Sequence, residues 1–107
     1  MVKHRAVVLH PNGVCQQVEI DQDVSAYQRV VGGYIQGVFG PNTTIYVNEE
    51  GLFLDLPFNS FATEAARKFC GLDQPLYGTA LVLGPPDNAG NDTHVHPDVV
   101  KHLNMED

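Results

Sequence analysis

The chain has 107 residues, of which 43% are hydrophobic, and 13 acidic side chains against 6 basic ones give a formal net charge of −7. This length suits one domain with one core. The few cations form no stripe, which excludes a typical nucleic-acid-binding surface. No apolar run approaches the roughly 18 residues of a membrane span, and the N-terminus does not resemble a signal peptide. We therefore expect a cytoplasmic protein that binds neither nucleic acid nor membrane.

The two cysteines, Cys15 and Cys70, are far apart in the sequence and belong to no Cys-x-x-Cys motif. This usage favours free, partly buried thiols in a reducing compartment over a disulfide scaffold. A single disulfide between the two cysteines remains the alternative.

The first third of the chain predicts a hairpin followed by a short helix. Residues 4–10 and 14–20 read as strands, and a Pro-Asn-Gly turn joins them. Residues 24–31 carry apolar side chains at helical spacing, with Asp23 or Ser25 as the N-terminal cap and two glycines as the stop.

The middle of the chain predicts three more strands. Residues 34–39 and 44–47 are rich in β-branched and aromatic side chains and should pair in antiparallel fashion. The Asn-Glu-Glu-Gly turn at 48–51 then reverses the chain into a strand at 52–54.

The last third predicts two helices around a buried strand. Asn59 or Ser60 caps a helix that ends at a glycine. Residues 78–84 are continuously apolar, which is typical of a central strand that is covered on both faces. A polar loop at 85–95 leads to a C-terminal helix at about 97–103, which begins with a proline.

Together these elements predict an α+β fold. We expect a small, mostly antiparallel sheet of about five to six strands, with two to three short helices packed on one face. The prediction is a single domain over 1–107, with its core in residues 4–84.

Four short motifs carry a resemblance to a known family. They are Val31-Gly32-Gly33-Tyr34-Ile35, Ile45-Tyr46-Val47-Asn48-Glu49-Glu50-Gly51, Leu56-Pro57-Phe58-Asn59 and Tyr77-Gly78-Thr79-Ala80-Leu81-Val82-Leu83-Gly84. In order and spacing they resemble the DUF3846 family of small uncharacterised proteins of bacteriophages, plasmids and bacteria. The resemblance implies a phage or mobile-element accessory protein, and it brings no catalytic residues with it.

One cluster is suggestive of metal chemistry. In an extended segment, Asp92, His94 and His96 project to one side and could reach one ion, with His102 nearby in the chain. This pattern predicts a divalent-metal site with these four ligands. Surface histidines without a ligand are the simpler interpretation, because no further ligand at fixed spacing is present.

A second candidate is an acidic interaction surface formed by Glu49, Glu50 and Asp55. Glu49 and Glu50 are adjacent, so their side chains point apart and do not suit a shared catalytic proton. No residue pattern predicts a catalytic group or an organic cofactor.

These observations leave three hypotheses for function. The first is a non-enzymatic binding module that acts on a host or phage protein or on a small ligand, and that forms a homodimer through an open sheet edge. The second is a metal-binding protein or small metal-dependent enzyme that uses the histidine cluster. The third is an acidic DNA mimic that counters host defence, which requires the acids to lie along one elongated face.

Overall fold

The computed structural model describes residues 2–103, so residue 1 and residues 104–107 of the predicted domain lie outside the described part. The described chain contains five strands and three helices. They are β1 (Lys3–Leu9), β2 (Cys15–Asp21), α1 (Val24–Val31), β3 (Ile35–Phe39), β4 (Thr44–Asn48), α2 (Ser60–Cys70), β5 (Ala80–Leu83) and α3 (Pro97–His102).

The strands form one sheet in the order β2-β1-β5-β4-β3, and every neighbouring pair is antiparallel. β5 therefore lies in the middle, as its continuous apolar sequence predicted. The predicted α+β class with an antiparallel sheet is confirmed. No helix within residues 2–103 is long and apolar enough to cross a membrane.

The helices cover both faces of the sheet, which corrects the expectation that they pack on one face. On one face, α2 and α3 pack over Val7, Leu9 and Val82. On the other face, α1 packs over Val8 and Leu81. The physical reason is that the second half of β1 (residues 6–9) and the whole of β5 are continuously apolar, so each face of the sheet needs a cover.

The predicted strand at 52–54 is wrong. This segment forms successive turns, in which Gly51 N donates to Asn48 O, Leu54 N to Glu50 O, and Leu56 N to Gly51 O. The reason lies in the sheet: β4 already pairs with β3 on one side and β5 on the other, so no edge of β4 is free for a hairpin partner.

Asn59 joins three parts of the fold. It is completely buried, and its Oδ1 accepts a hydrogen bond of 3.0 Å from Ala62 N to cap α2. Its Nδ2 donates to Leu9 O at 2.9 Å and to Gly78 O at 2.8 Å. One side chain thus fixes the start of α2 against the end of β1 and the approach to β5.

Candidate functional site

Three consecutive large apolar side chains are exposed in the turn segment after β4. The exposed fractions are 67% for Leu52, 89% for Phe53 and 55% for Leu54. We call these three residues the apolar loop. Single exposed apolar residues are ordinary in soluble proteins, but a contiguous group marks a surface that is covered in some functional state.

Beside the apolar loop lies a groove of about 340 Å³, which we call the edge groove. It lies on the α2 face, between the β3 side of the sheet and the segment 72–77, where α2 does not cover the strands. Its apolar lining is formed by Val38, Val47, Leu52, Leu72, Pro75 and Leu76.

The edge groove borders a strand with an unpaired edge. β3 is the last strand of the sheet on this side. Tyr34 O accepts from Glu49 N at 2.9 Å and Gly40 N donates to Thr43 O at 2.8 Å, so the even-numbered residues of β3 bond toward β4. The alternation of an antiparallel ladder then directs the backbone N–H and C=O groups of Gly37 outward, with those of its odd-numbered neighbours.

Of the acidic residues predicted as an interaction surface, Glu49 lines this groove. Glu50 and Asp55 are exposed in the turns that follow β4. Asn48 holds the first turn in place, because its Oδ1 accepts from Glu50 N at 2.8 Å. No lysine or arginine lines the groove, so its rim is negatively charged.

The four predicted metal ligands have separate partners. Asp92 Oδ1 accepts a hydrogen bond of 2.9 Å from the Tyr46 hydroxyl. His94 Nδ1 accepts from Arg5 N at 2.9 Å, which fixes its ring against β1. The two side chains are thus held by different strands.

The other two predicted ligands belong to α3. His96 caps that helix, with its Nδ1 accepting from Asp98 N at 3.1 Å. His102 Nε2 lies 3.9 Å from Glu64 Oε1 of α2. Within residues 2–103, no group of three or more His, Cys, Asp or Glu side chains is placed to hold a metal ion. The geometry therefore gives the predicted metal site no support.

Both cysteines are free thiols, and each is partly buried. Burial raises the pKa of the Cys15 and Cys70 thiols. Because the thiolate is the reactive form, a raised pKa disfavours a nucleophilic role for either residue.

The α1 face carries a tyrosine-aspartate group that the sequence did not predict. The rings of Tyr27 and Tyr46 stack with centroids 5.3 Å apart, and the Tyr46 hydroxyl bonds Asp92. Burial and then the neighbouring Asp92 raise the pKa of both phenols well above their usual range. The helical spacing of Tyr27 indicated a core position, but nothing in the sequence indicated that the 85–95 loop returns to it.

The family model described as a domain of unknown function (DUF3846) matches residues 3–106. The chain belongs to this family. The DUF3846 match spans the edge groove, the apolar loop and the tyrosine-aspartate group, so all of these lie inside the family domain. Neither a curated protein nor a solved structure matches the chain.

Proposed function

We propose that this DUF3846 protein is a binding module that docks an extended, basic and apolar segment of a host or phage protein along β3 and the edge groove. The observation that supports the proposal most is the edge groove itself, which is lined both by Val38 of the edge strand β3 and by Leu52 of the apolar loop. Burying one Leu or Phe side chain stabilises a complex by roughly 1.5–3 kcal/mol, before the entropic cost of association.

The free edge of β3 favours an extended segment over a helix. A segment added to a sheet edge forms main-chain hydrogen bonds with the strand, and alternate side chains enter pockets on one face. Gly37 lies in the middle of β3, where its outward N–H would bond such a segment. Val38 lies in the groove on the α2 face, so it would contact the nearest side chain that the segment directs to that face.

The charge of the rim favours basic residues in that segment. Glu49, Glu50 and Asp55 are acidic, and no cation lines the groove. Complementary charges at the rim of an interface raise the association rate and suppress partners of the wrong charge. A second copy of this chain is the competing occupant, and it would bring the same acids to the interface.

A peptide-display selection tests the proposal. We expect selection from a random library of peptides of about 12 residues to enrich sequences that alternate apolar residues with Lys or Arg. One enriched peptide, titrated into isotopically labelled protein, should shift the amide signals of β3 and of the apolar loop. Enrichment of acidic peptides, or shifts confined to other surfaces, would overturn the proposal.

Variants locate the contact. Gly37→Pro removes an outward N–H without removing a β3–β4 hydrogen bond. Its Cβ also displaces the Phe39 ring, so Gly37→Ala, which makes the same contact and keeps the N–H, is its control. Phe53→Ser removes the most exposed apolar side chain. Gly37→Pro and Phe53→Ser should each weaken binding of the enriched peptide by roughly tenfold or more, which corresponds to about 1.4 kcal/mol. Val14→Ser is the matched control, because Val14 is also exposed but lies in the β1–β2 hairpin.

The charge contribution has its own pair of variants. Glu49→Gln should weaken binding of the basic peptide and reduce its salt dependence, whereas Glu19→Gln, on the opposite edge strand, should leave both unchanged. Sedimentation of the protein alone completes the test: a stable dimer that Gly37→Pro dissociates would assign the edge to a second copy and overturn the proposal.

A further inference from the structure

β2 is the edge strand on the other side of the sheet, and no strand of the described residues pairs with its outer side. It pairs with β1 over all 7 of its residues in one unbroken register, so it has no bulge. Its sequence contains neither proline nor lysine, two residues that commonly protect an exposed edge from pairing. An edge of this length without such protection favours the addition of a further strand.

The hydrogen bonds at the two ends of the hairpin show which backbone groups of β2 point away from β1. His10 N donates to Val14 O at 2.9 Å, and Gln22 N donates to Val2 O at 2.9 Å, so the even-numbered residues bond toward β1. The alternation of an antiparallel ladder then directs the backbone N–H and C=O groups of the odd-numbered residues outward.

The two faces of β2 differ in character. Cys15 packs against the core on the α2 face, whereas Val18 and Ile20 pack with the core on the α1 face. Because side chains alternate along a strand, Gln17 and Glu19 share the α2 face with Cys15. β2 thus carries an apolar pair on the α1 face and an acid on the α2 face.

A groove of about 370 Å³ flanks β2 on the α1 face. It lies between β2 and α1, and its 2 acids are balanced by 2 cations. The rest of its lining is apolar and comes from Val8, Val18, Ile20, Ala26 and Val30. An apolar side chain added beside β2 on this face would therefore be buried in part.

A second groove of about 370 Å³ flanks β2 on the α2 face, between β2 and α3. Arg5 and Lys101 line it against a single acid, Asp98. Within residues 2–103 neither Arg5 nor Lys101 forms an ion pair. An acidic side chain added beside β2 on this face would therefore meet two unpaired cations.

We propose that the β2 edge is a homodimer interface, in which β2 of a second copy continues the sheet in antiparallel fashion. A two-fold axis perpendicular to the sheet keeps the corresponding faces of the two copies on the same side. Val18 and Ile20 of the second copy then adjoin the apolar groove, and its Glu19 adjoins the groove that contains Arg5 and Lys101. The β2 edge thus complements itself in both polarity and charge.

The register centred on Val18 is the one in which all 7 residues of both strands are paired. It places Val18 opposite Val18 of the second copy, and Gln17 opposite Glu19. The odd-numbered residues then face one another, as the outward direction of their backbone groups requires. A register centred on Glu19 would set two carboxylates directly opposite each other, which destabilises a strand pair. This interface and the peptide site at β3 lie at opposite edges, and neither proposal requires the other.

Sedimentation of the whole protein is the first test. Between about 1 and about 500 μM we expect a concentration-dependent dimer, because association follows mass action. Gly37→Pro, at the β3 edge, should leave this dimer intact. A protein that stays monomeric over the whole range would overturn the proposal. A dimer that Gly37→Pro dissociates would place the interface at β3 and would overturn it as well.

Charge reversal tests the groove on the α2 face. Glu19→Lys and Lys101→Glu should each raise the Kd of the dimer by at least about tenfold, and the double variant should recover affinity because it exchanges the two charges. Glu50→Lys, the same change at the other side of the sheet, is the matched control. Urea unfolding of each variant separates loss of the dimer from loss of the fold. Single reversals that leave the Kd unchanged would contradict the proposed register.

A cross-link tests the register directly, in a background of Cys15→Ser and Cys70→Ser. Directly opposed residues of a non-hydrogen-bonded pair have Cα atoms about 4.5 Å apart, which a disulfide can span. Oxidised glutathione should therefore link two copies of Val18→Cys. Gln16→Cys is the control, because its two copies would lie four residues out of alignment, or roughly 13 Å apart along the strands. If Gln16→Cys cross-links as well as Val18→Cys does, the proposed interface is wrong.

Discussion

The Tyr46 hydroxyl donates a hydrogen bond of 2.9 Å to Asp92 Oδ1, which links strand β4 to the loop at 85–95 across 46 residues of sequence. Two further bonds hold the same loop: Gln22 Nε2 donates to Asn91 Oδ1 at 2.9 Å, and Gly84 N donates to Thr93 O at 3.0 Å. The polar loop is therefore packed on the domain.

Removing that link should loosen the loop. Tyr46→Phe leaves the Asp92 carboxylate without its phenol donor, and we expect a loss of about 1–2 kcal/mol in the free energy of unfolding, since Tyr46 is half-buried. Hydrogen exchange should accelerate at the Asp87 and Gly90 amides, which bond within the loop. Tyr34→Phe is the control, because Tyr34 is largely exposed. Equal exchange in both variants would contradict the prediction.

The two buried phenols predict a loss of stability in alkali. Burial and then Asp92 raise the pKa of Tyr27 and Tyr46 above the usual 10.0, so the folded state holds their protons more tightly than the unfolded state does. This contribution is fully present below pH 10.0 and is lost as the pH rises through the folded pKa. Urea unfolding between about pH 8 and about pH 11 should show the decline. Tyr46→Phe should flatten it more than Tyr34→Phe does.

The predictable parts of the fold are those with local causes. The hairpin, the caps at Asp23 and Asn59, and the central position of β5 follow from turn residues, cap residues and an unbroken apolar run. The order of the other strands is non-local. The failed strand at 52–54 shows this: its sequence suits a strand, but one edge of β4 is occupied by the neighbouring β3 and the other by the distant β5.

The two helix caps should contribute unequally to the free energy of unfolding. Asn59→Ala removes a cap and two buried donors, so we expect a loss of about 3–5 kcal/mol in the free energy of unfolding. Asp23→Ala removes an exposed cap and should cost about 1 kcal/mol. Denaturant unfolding of both variants measures the two losses in the free energy of unfolding. Ser60→Ala, next to the cap, is the control that should change little. Similar losses for Asn59→Ala and Asp23→Ala would mean that the bonds to Leu9 and Gly78 contribute little.

The candidate sites were less predictable than the fold. The sequence indicates the acidic turn because charge is visible in it. It predicts the apolar loop only as a strand, since the exposure of these side chains depends on what the fold leaves uncovered. The histidine cluster has suitable spacing in an extended chain. The fold directs His94 toward β1 and His96 to the cap of α3, and spacing alone cannot reveal such competing hydrogen bonds.

The structure does not test whether the histidine cluster binds zinc, but its hydrogen bonds predict that any binding is weak. Binding through the Nδ1 atoms of His94 and His96 would break their bonds to Arg5 N and Asp98 N. We expect protein that has been chelator-treated and then zinc-repleted to retain less than one equivalent after dialysis, as measured by elemental analysis. His94→Ala should not change the value. Stoichiometric zinc that His94→Ala abolishes would restore the metal-site hypothesis.

The apolar loop should be dispensable for folding. Phe53 is 89% exposed, so Phe53→Ser should change the free energy of unfolding by no more than about 0.5 kcal/mol. Leu81 is completely buried in the middle strand, and Leu81→Ala should cost about 2–5 kcal/mol. Thermal melts of the two variants measure the contrast. If Phe53→Ser is as destabilising as Leu81→Ala, the apolar loop belongs to the core in solution, and its exposure can no longer be attributed to a binding role.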